Sequence, residues 1–157
     1  MTSTKPPIIA LDSFWPYQVT VLADRVSRYT LSVVKSVAEL NQSQWRVLAA
    51  VAEKPGRSGA EVTAITPMDK TLVSRAVHSL IEMGYITKTA DRGDKRRSSL
   101  TLTARGLACY EQVATKLNAT LVEPFMQSML PDELIRTLKR YNRLLDQVAP
   151  LDDTTDE

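Results

Sequence analysis

The sequence predicts a mainly α-helical chain that carries a single two-stranded β hairpin, with long amphipathic helices before and after a region of short ones. Three observations predict it. Apolar residues recur at steps of three and four near both ends of the chain, the repeat of one helix face. Capping residues, Pro and Gly divide the middle into short helices. Two five-residue runs, YITKT and SSLTL, flank a strongly charged turn, the pattern of a hairpin with a longer loop.

The bulk composition bounds what such a chain can be. Its 157 residues suit one compact domain or a small domain with helical extensions, and 43% hydrophobic residues, 24% charged residues and five Gly describe a soluble, helix-leaning protein. No apolar run approaches the roughly 20 residues that cross a bilayer. The opening MTSTKPPIIALDS lacks a basic region followed by a long apolar stretch, so the expectation is a cytoplasmic protein with no membrane partner. One cysteine, Cys109, and one histidine, His78, exclude an internal disulfide and predict no zinc site and no cofactor.

Residues 1–12 contain Pro6 and Pro7 and read as an arm. From Ser13 to Val37 the apolar positions Val19, Leu22, Val26, Tyr29, Val33 and Val37 share one face of a long helix. In LNQSQWRVLAAVAEKPG, Asn41 is the expected N-cap, Gln44 can reach back to complete a capping box, and Pro55 and Gly56 end the helix. SGAEVTAIT resembles a small second helix. A third is expected over Met68 to Met83, with Thr66 as cap, Pro67 at the first helical position, Asp69 near the positive end of the macrodipole and Gly84 as the stop.

Tyr85 to Thr89 and Ser98 to Leu102 are the expected strands, with Leu100 and Leu102 on one face. Thr103 opens another long helix with a seam of Leu107, Tyr110, Ala114, Leu117 and Leu121, which Pro124 should bend or interrupt. Pro131 starts the last helix, with Leu134, Leu138, Tyr141, Leu145 and Val148 in line. Helix, helix, third helix and hairpin in this order form a winged helix-turn-helix lobe over residues 41–102. The long helices lie in 13–40 and 103–149, and residues 150–157 form an acidic tail.

The net charge of +2 hides an uneven distribution. Lys54 to Gly106 carries ten cations against five anions, a local balance of +5, whereas LDDTTDE has four anions and no cation. A basic middle fits a polyanionic partner. On the third helix Val73, Ala76, Val77 and Leu80 form one stripe, while Thr71, Ser74, Arg75 and His78 fall on the opposite one. One face can pack while the other reads double-stranded DNA. Arg75 suits a bidentate contact to a guanine edge, Thr71, Ser74 and His78 suit bases or phosphates, and Lys70 suits the backbone.

The hairpin turn concentrates Arg92, Lys95, Arg96 and Arg97, cations suited to a narrow minor groove of enhanced negative potential. Asp91 and Asp94 would repel phosphate, so their expected task is to shape the turn by pairing with Arg96 or capping it.

These residues resemble the MarR family of transcription regulators. The resemblance rests on QWRVL at Gln44 to Leu48, on DKTLVSRAVHSLIEMGYI at Asp69 to Ile86, and on the D-x-x-D-x-R wing, here Asp91, Asp94 and Arg96, followed by LTLT and Gly106. It implies a homodimer in which the first helix and the last two interleave with those of a second copy, above two lobes that meet successive major grooves of a pseudo-palindrome. The seams supply an independent reason, since three long helices with apolar faces exceed what one small lobe covers. Half-sites are expected about 34 Å apart.

The resemblance also implies a repressor released by a small, aromatic or anionic effector. Trp15, Tyr17, Arg25, Arg28, Tyr29, Trp45 and Arg46 are the candidates, because aromatic walls with a cation suit an aromatic carboxylate. Ordinary packing is the other role open to Trp45 and Tyr29, and ion pairing the one open to Arg28 and Arg46. Cys109, far from the N-terminal helix where some relatives carry a sensing thiol, reads as a buried small residue. A ligand-independent DNA-binding module controlled by abundance or a protein partner is the alternative function. No nucleophile, acid and base constellation accompanies His78, so no enzyme is expected.

Overall fold

The computed structural model describes residues 8–90, 98–126 and 131–148. The chain divides into two compact units, Met1–Lys116 and Leu117–Glu157. In chain order the elements are α1 (Trp15–Lys35), α2 (Gln42–Glu53), α3 (Gly59–Ile65), α4 (Lys70–Glu82), β1 (Ile86–Ala90), β2 (Ser98–Leu102), α5 (Ala104–Leu117), a π-helical turn (Asn118–Val122), α6 (Glu123–Met126) and α7 (Pro131–Val148). The fold is mainly α with a two-stranded antiparallel sheet, and α2, α3, α4 and the hairpin form the expected winged helix-turn-helix. No helix among the described residues is long and apolar enough to cross a membrane.

Local chemistry explains most boundaries. Pro16 stands in the first turn of α1, where its missing N–H costs nothing; the helix starts at Trp15 and stops at Lys35 rather than spanning Ser13 to Val37. Asn41 and Gln44 form the expected capping box, with Gln44 N–H donating to Asn41 Oδ1 at 2.9 Å and Asn41 N–H to Gln44 Oε1 at 2.8 Å. A second box, Ser58 with Glu61, opens α3.

The expected cap of α4 is corrected. Asp69, not Thr66, is the N-cap, accepting the Leu72 N–H at 2.7 Å. Thr66 instead closes α3, its hydroxyl donating to the Val62 carbonyl at 2.8 Å, and Pro67 lies before the helix. A carboxylate accepts an N–H and favours the positive helix end at once, which a hydroxyl does less well. At the other end Gly84 takes φ +73°. Its N–H bonds to the Ile81 carbonyl and that of Tyr85 to Leu80, both at 2.9 Å. This Schellman arrangement uses Tyr85 to end the helix, so β1 begins one residue later than expected.

Ile86 pairs with Leu102, Lys88 with Leu100 and Ala90 with Ser98. Leu100 also donates its N–H to Arg57 at 3.0 Å and accepts from Gly56 N–H at 2.8 Å, which docks the hairpin on the loop between α2 and α3. Gly56 meets this contact with φ +90°, a conformation that side chains other than Gly resist. Beneath lie Leu40, Val47, Leu48, Val51, Val62, Leu80, Ile86, Leu100 and Val113, all essentially inaccessible to water.

α5 buries one face in its own chain and leaves the expected seam on another. Gly106, Cys109 and Val113 are buried, whereas Leu107 is exposed and Tyr110 and Ala114 half-exposed. Close approach is the reason. A Cβ at Gly106 would stand 1.9 Å from the Tyr85 carbonyl oxygen, so only glycine lets α5 lie this near the α4–β1 turn. Thr103 secures the junction, its hydroxyl donating to the Gly84 carbonyl at 2.7 Å and accepting from Gly106 N–H at 3.0 Å.

In the second unit, Pro124 has no N–H for the carbonyl four residues earlier. The interruption expected there takes the form of a π turn, with Glu123 N–H bonded to the Asn118 carbonyl. α7 begins at Pro131 as expected, with Asp132 and Glu133 in its first turn, where acidic side chains complement the macrodipole.

Candidate nucleic-acid interface

The α4 helix separates two chemistries. Val73, Ala76, Val77 and Leu80 are buried, while Lys70, Thr71, Ser74, Arg75 and His78 are exposed on the outward side. Thirteen residues at 1.5 Å each give a rod of about 20 Å, slender enough for a major groove about 12 Å wide. His78 Nε2 lies 3.3 Å from Glu82 Oε1, both side chains largely in solvent.

Beside α4 runs a groove of about 1120 Å³ between α3, α4 and the hairpin, with Thr63, Lys70, Ser74, Lys88, Ser98 and Ser99 among its polar lining. Strand alternation explains the contribution of β1. Ile86 and Lys88 are two residues apart and share a face, so the face that enters the core at the hairpin base lines the groove farther out. Lys88, Ser98, Ser99 and Thr63 were not among the candidates from sequence. The signal available was the inward register of Lys88 with buried Leu100.

Glu61 is the one carboxylate among the described lining residues, and it is already engaged. It accepts the Ser58 N–H at 2.8 Å and pairs with Lys54 at 3.2 Å. The Ser58 backbone N–H first, then Lys54 and the Ser58 hydroxyl, lower its pKa from 4.5 to about 2. Its charge is therefore partly answered by Lys54 rather than directed at an incoming anion. Arg57 is similarly committed: it is only 12% exposed and donates to the Ala50 carbonyl at 2.6 Å and the Glu53 carboxylate at 2.7 Å. This guanidinium braces the hairpin dock.

Arg92, Lys95, Arg96 and Arg97, with Asp91 and Asp94, lie outside the described residues. The hairpin below them is described, with Thr87 and Thr101 joined by their hydroxyls at 2.8 Å across its outer face.

The effector candidates fall into two groups. Trp45 on α2 stacks on Tyr110 of α5, ring centres 5.8 Å apart and planes 16° from parallel, and Arg46 beside it is half-buried. Trp15, Tyr17, Arg25, Arg28 and Tyr29 are exposed along α1. Arg28 pairs with Asp24 at 2.8 Å. Trp15 and Tyr29 are separated by about 21 Å of helix rise, so α1 does not bring all five to one small ligand. Cys109 is buried, and desolvation pushes its thiol pKa up, opposite to a reactive thiolate.

Two short helices, an outward polar stripe on the third and a hairpin docked beside it define a winged helix-turn-helix. The MarR family model matches residues 38–97, the stretch that holds most of this lobe. Members of that family are transcription regulators. A curated relative, the HTH-type transcriptional regulator BilQ of Clostridium symbiosum (strain WAL-14163), is 34% identical over 62 residues, 40% of this chain and 43% of that protein. The match thus spans less than half the length of this relative. Similarity to solved structures extends further. A MarR/EmrR family transcriptional regulator from Acinetobacter sp. ADP1 superposes with TM-score 0.76 at 25% identity, over 88% of this chain and 99% of that one. The transcriptional repressor CouR, solved on a 23-mer DNA duplex, has the same fold, with TM-score 0.69 at 22% identity over 90% and 99% of the two chains.

Proposed function

We propose that this protein is a sequence-specific DNA-binding transcriptional regulator that acts as a homodimer and represses until a small aromatic or anionic effector releases it. The observation that carries the reading is the division of α4 into a buried apolar stripe and an exposed stripe of Thr71, Ser74, Arg75 and His78, beside a groove furnished with Lys70 and Lys88. The outer stripe supplies donors for base edges and the groove supplies cations and hydroxyls for phosphates. The turn cations at residues 92–97 extend that attraction along the duplex.

Dimerisation follows from apolar surface. Val19, Leu22, Val26 and Tyr29 on α1, and Leu134, Leu138, Tyr141 and Leu145 on α7, each remain 39–51% exposed. Seams of this kind are buried by a second copy in symmetric helical dimers. The effector reading rests on the aromatic and arginine side chains of α1 and α2, among them Trp45, which stacks on Tyr110, and Arg46, which follows it in the chain.

Titration into the DNA upstream of its own gene and into a shuffled duplex, over a salt series and with aromatic acids, tests the reading. Preference for the first duplex, weakened by salt and abolished by one acid, is the expected outcome. Equal weak binding to both would overturn sequence-specific regulation. Preference that no acid alters would leave the ligand-independent regulator as the function.

A further inference from the structure

Gln44 is the only polar side chain among the described residues that the fold buries, at 9% exposure. Its two ends do different things. Oε1 accepts the Asn41 N–H at 2.8 Å within the capping box, so the amide is anchored to the start of α2. Nε2 crosses to α4 and donates to Ser79 Oγ at 2.7 Å, with Met83 Sδ at 3.8 Å. Ser79 Oγ lies 3.9 Å from the same sulfur. Ser79 is adjacent to His78 and one turn beyond Arg75.

We propose that Gln44 and Ser79 are positioning residues that set the rotation of α4 about its axis, and thereby the base preference of Thr71, Ser74, Arg75 and His78. The inference rests on the DNA-reading role of α4 proposed above. Apolar packing through Val73, Ala76, Val77 and Leu80 is non-directional and tolerates small rotations. A buried hydrogen bond from an anchored amide does not. At a side-chain radius of about 5–6 Å, a 15° rotation moves an outward group by about 1.5 Å, enough to break a bidentate contact that needs donor–acceptor distances near 2.7–3.2 Å. Phosphate contacts from flexible lysines follow such a shift, so rotation alters preference before it alters non-specific affinity.

The residue type at position 44 supports this. Glu completes a capping box as well as Gln does, yet only Gln supplies an N–H across to α4 after its oxygen is used.

The test is a base-preference profile selected from a random duplex pool, with affinities for the selected and shuffled duplexes, salt slopes and thermal unfolding. It compares the wild type, Ser79→Ala and Ser79→Thr. Ser79→Ala keeps the capping box and removes the acceptor. It should lower the ratio of selected to shuffled affinity about tenfold while shuffled binding and salt slope stay within about twofold. Ser79→Thr, which retains the hydroxyl, should recover the profile. An unchanged ratio in folded Ser79→Ala overturns the inference, as does parallel loss on both duplexes that tracks a lower Tm. If the wild type selects no sequence at all, it is the DNA-reading role itself that fails.

Discussion

The winged lobe and its flanking helices carry apolar residues at the same helical spacing, yet the fold treats them oppositely. In the lobe Val47, Leu48, Val51, Val62, Leu80, Ile86 and Leu100 are sealed from water by one another. On α1 and α7 residues such as Leu22, Leu138 and Leu145 stay 39–51% exposed. Periodicity therefore marks a face that will be buried without saying by what. The lobe closes its core within the chain, whereas the flanking seams stay open to water, the surface that the proposed dimer would cover.

The largest effects should come from breaking the closed side of this comparison. Leu80→Ala removes a fully buried side chain and should destabilise by about 2–5 kcal/mol in urea unfolding. Gly106→Ala forces a methyl group against the Tyr85 carbonyl and should cost about 3 kcal/mol. A Tm within error of the wild type would show that α5 can move away cheaply. On the open side, Leu138→Glu with Leu145→Glu should convert a species of twice 17.5 kDa to the single-chain mass in sedimentation equilibrium. An unaltered dimer mass would locate the interface elsewhere.

Smaller effects sharpen the reading surface. Arg75→Ala should relax preference at one position per half-site by about 1–3 kcal/mol, measured as binding to single-base operator variants. Uniform loss across all variants would make Arg75 a backbone contact. The smallest concerns Glu61. Its pKa is depressed to about 2, so its contribution is present above its ordinary value of 4.5 and is lost as pH falls from there towards 2. Glu61→Gln should flatten the decline of Tm across that window. Parallel Tm curves for the two proteins would show that the carboxylate is not what titrates.

Signals confined to three or four residues were legible in the sequence. The Asn41–Gln44 capping box, the Gly84 stop, the start of α7 at Pro131 and the two stripes of α4 all depend on near neighbours. Thr66 and Asp69 show the limit of that rule, because two capping side chains three residues apart served two successive helix ends. The lobe was legible as a winged helix-turn-helix because its punctuation is local.

Tertiary structure alone decided the rest. The sequence marked Cys109 as buried but did not show that Gly106 and Val113 join it on one face of α5, since that follows from the approach to Tyr85. Lys88 joined Lys70 in one groove because the hairpin folds back on Gly56 and Arg57. Gln44 reached Ser79 from 35 residues away. The sequence by itself determined where each helix and strand could form, because those choices are made over single turns of backbone. Packing determined which faces meet and which polar groups become partners, because such contacts exist only after distant segments have excluded water between them.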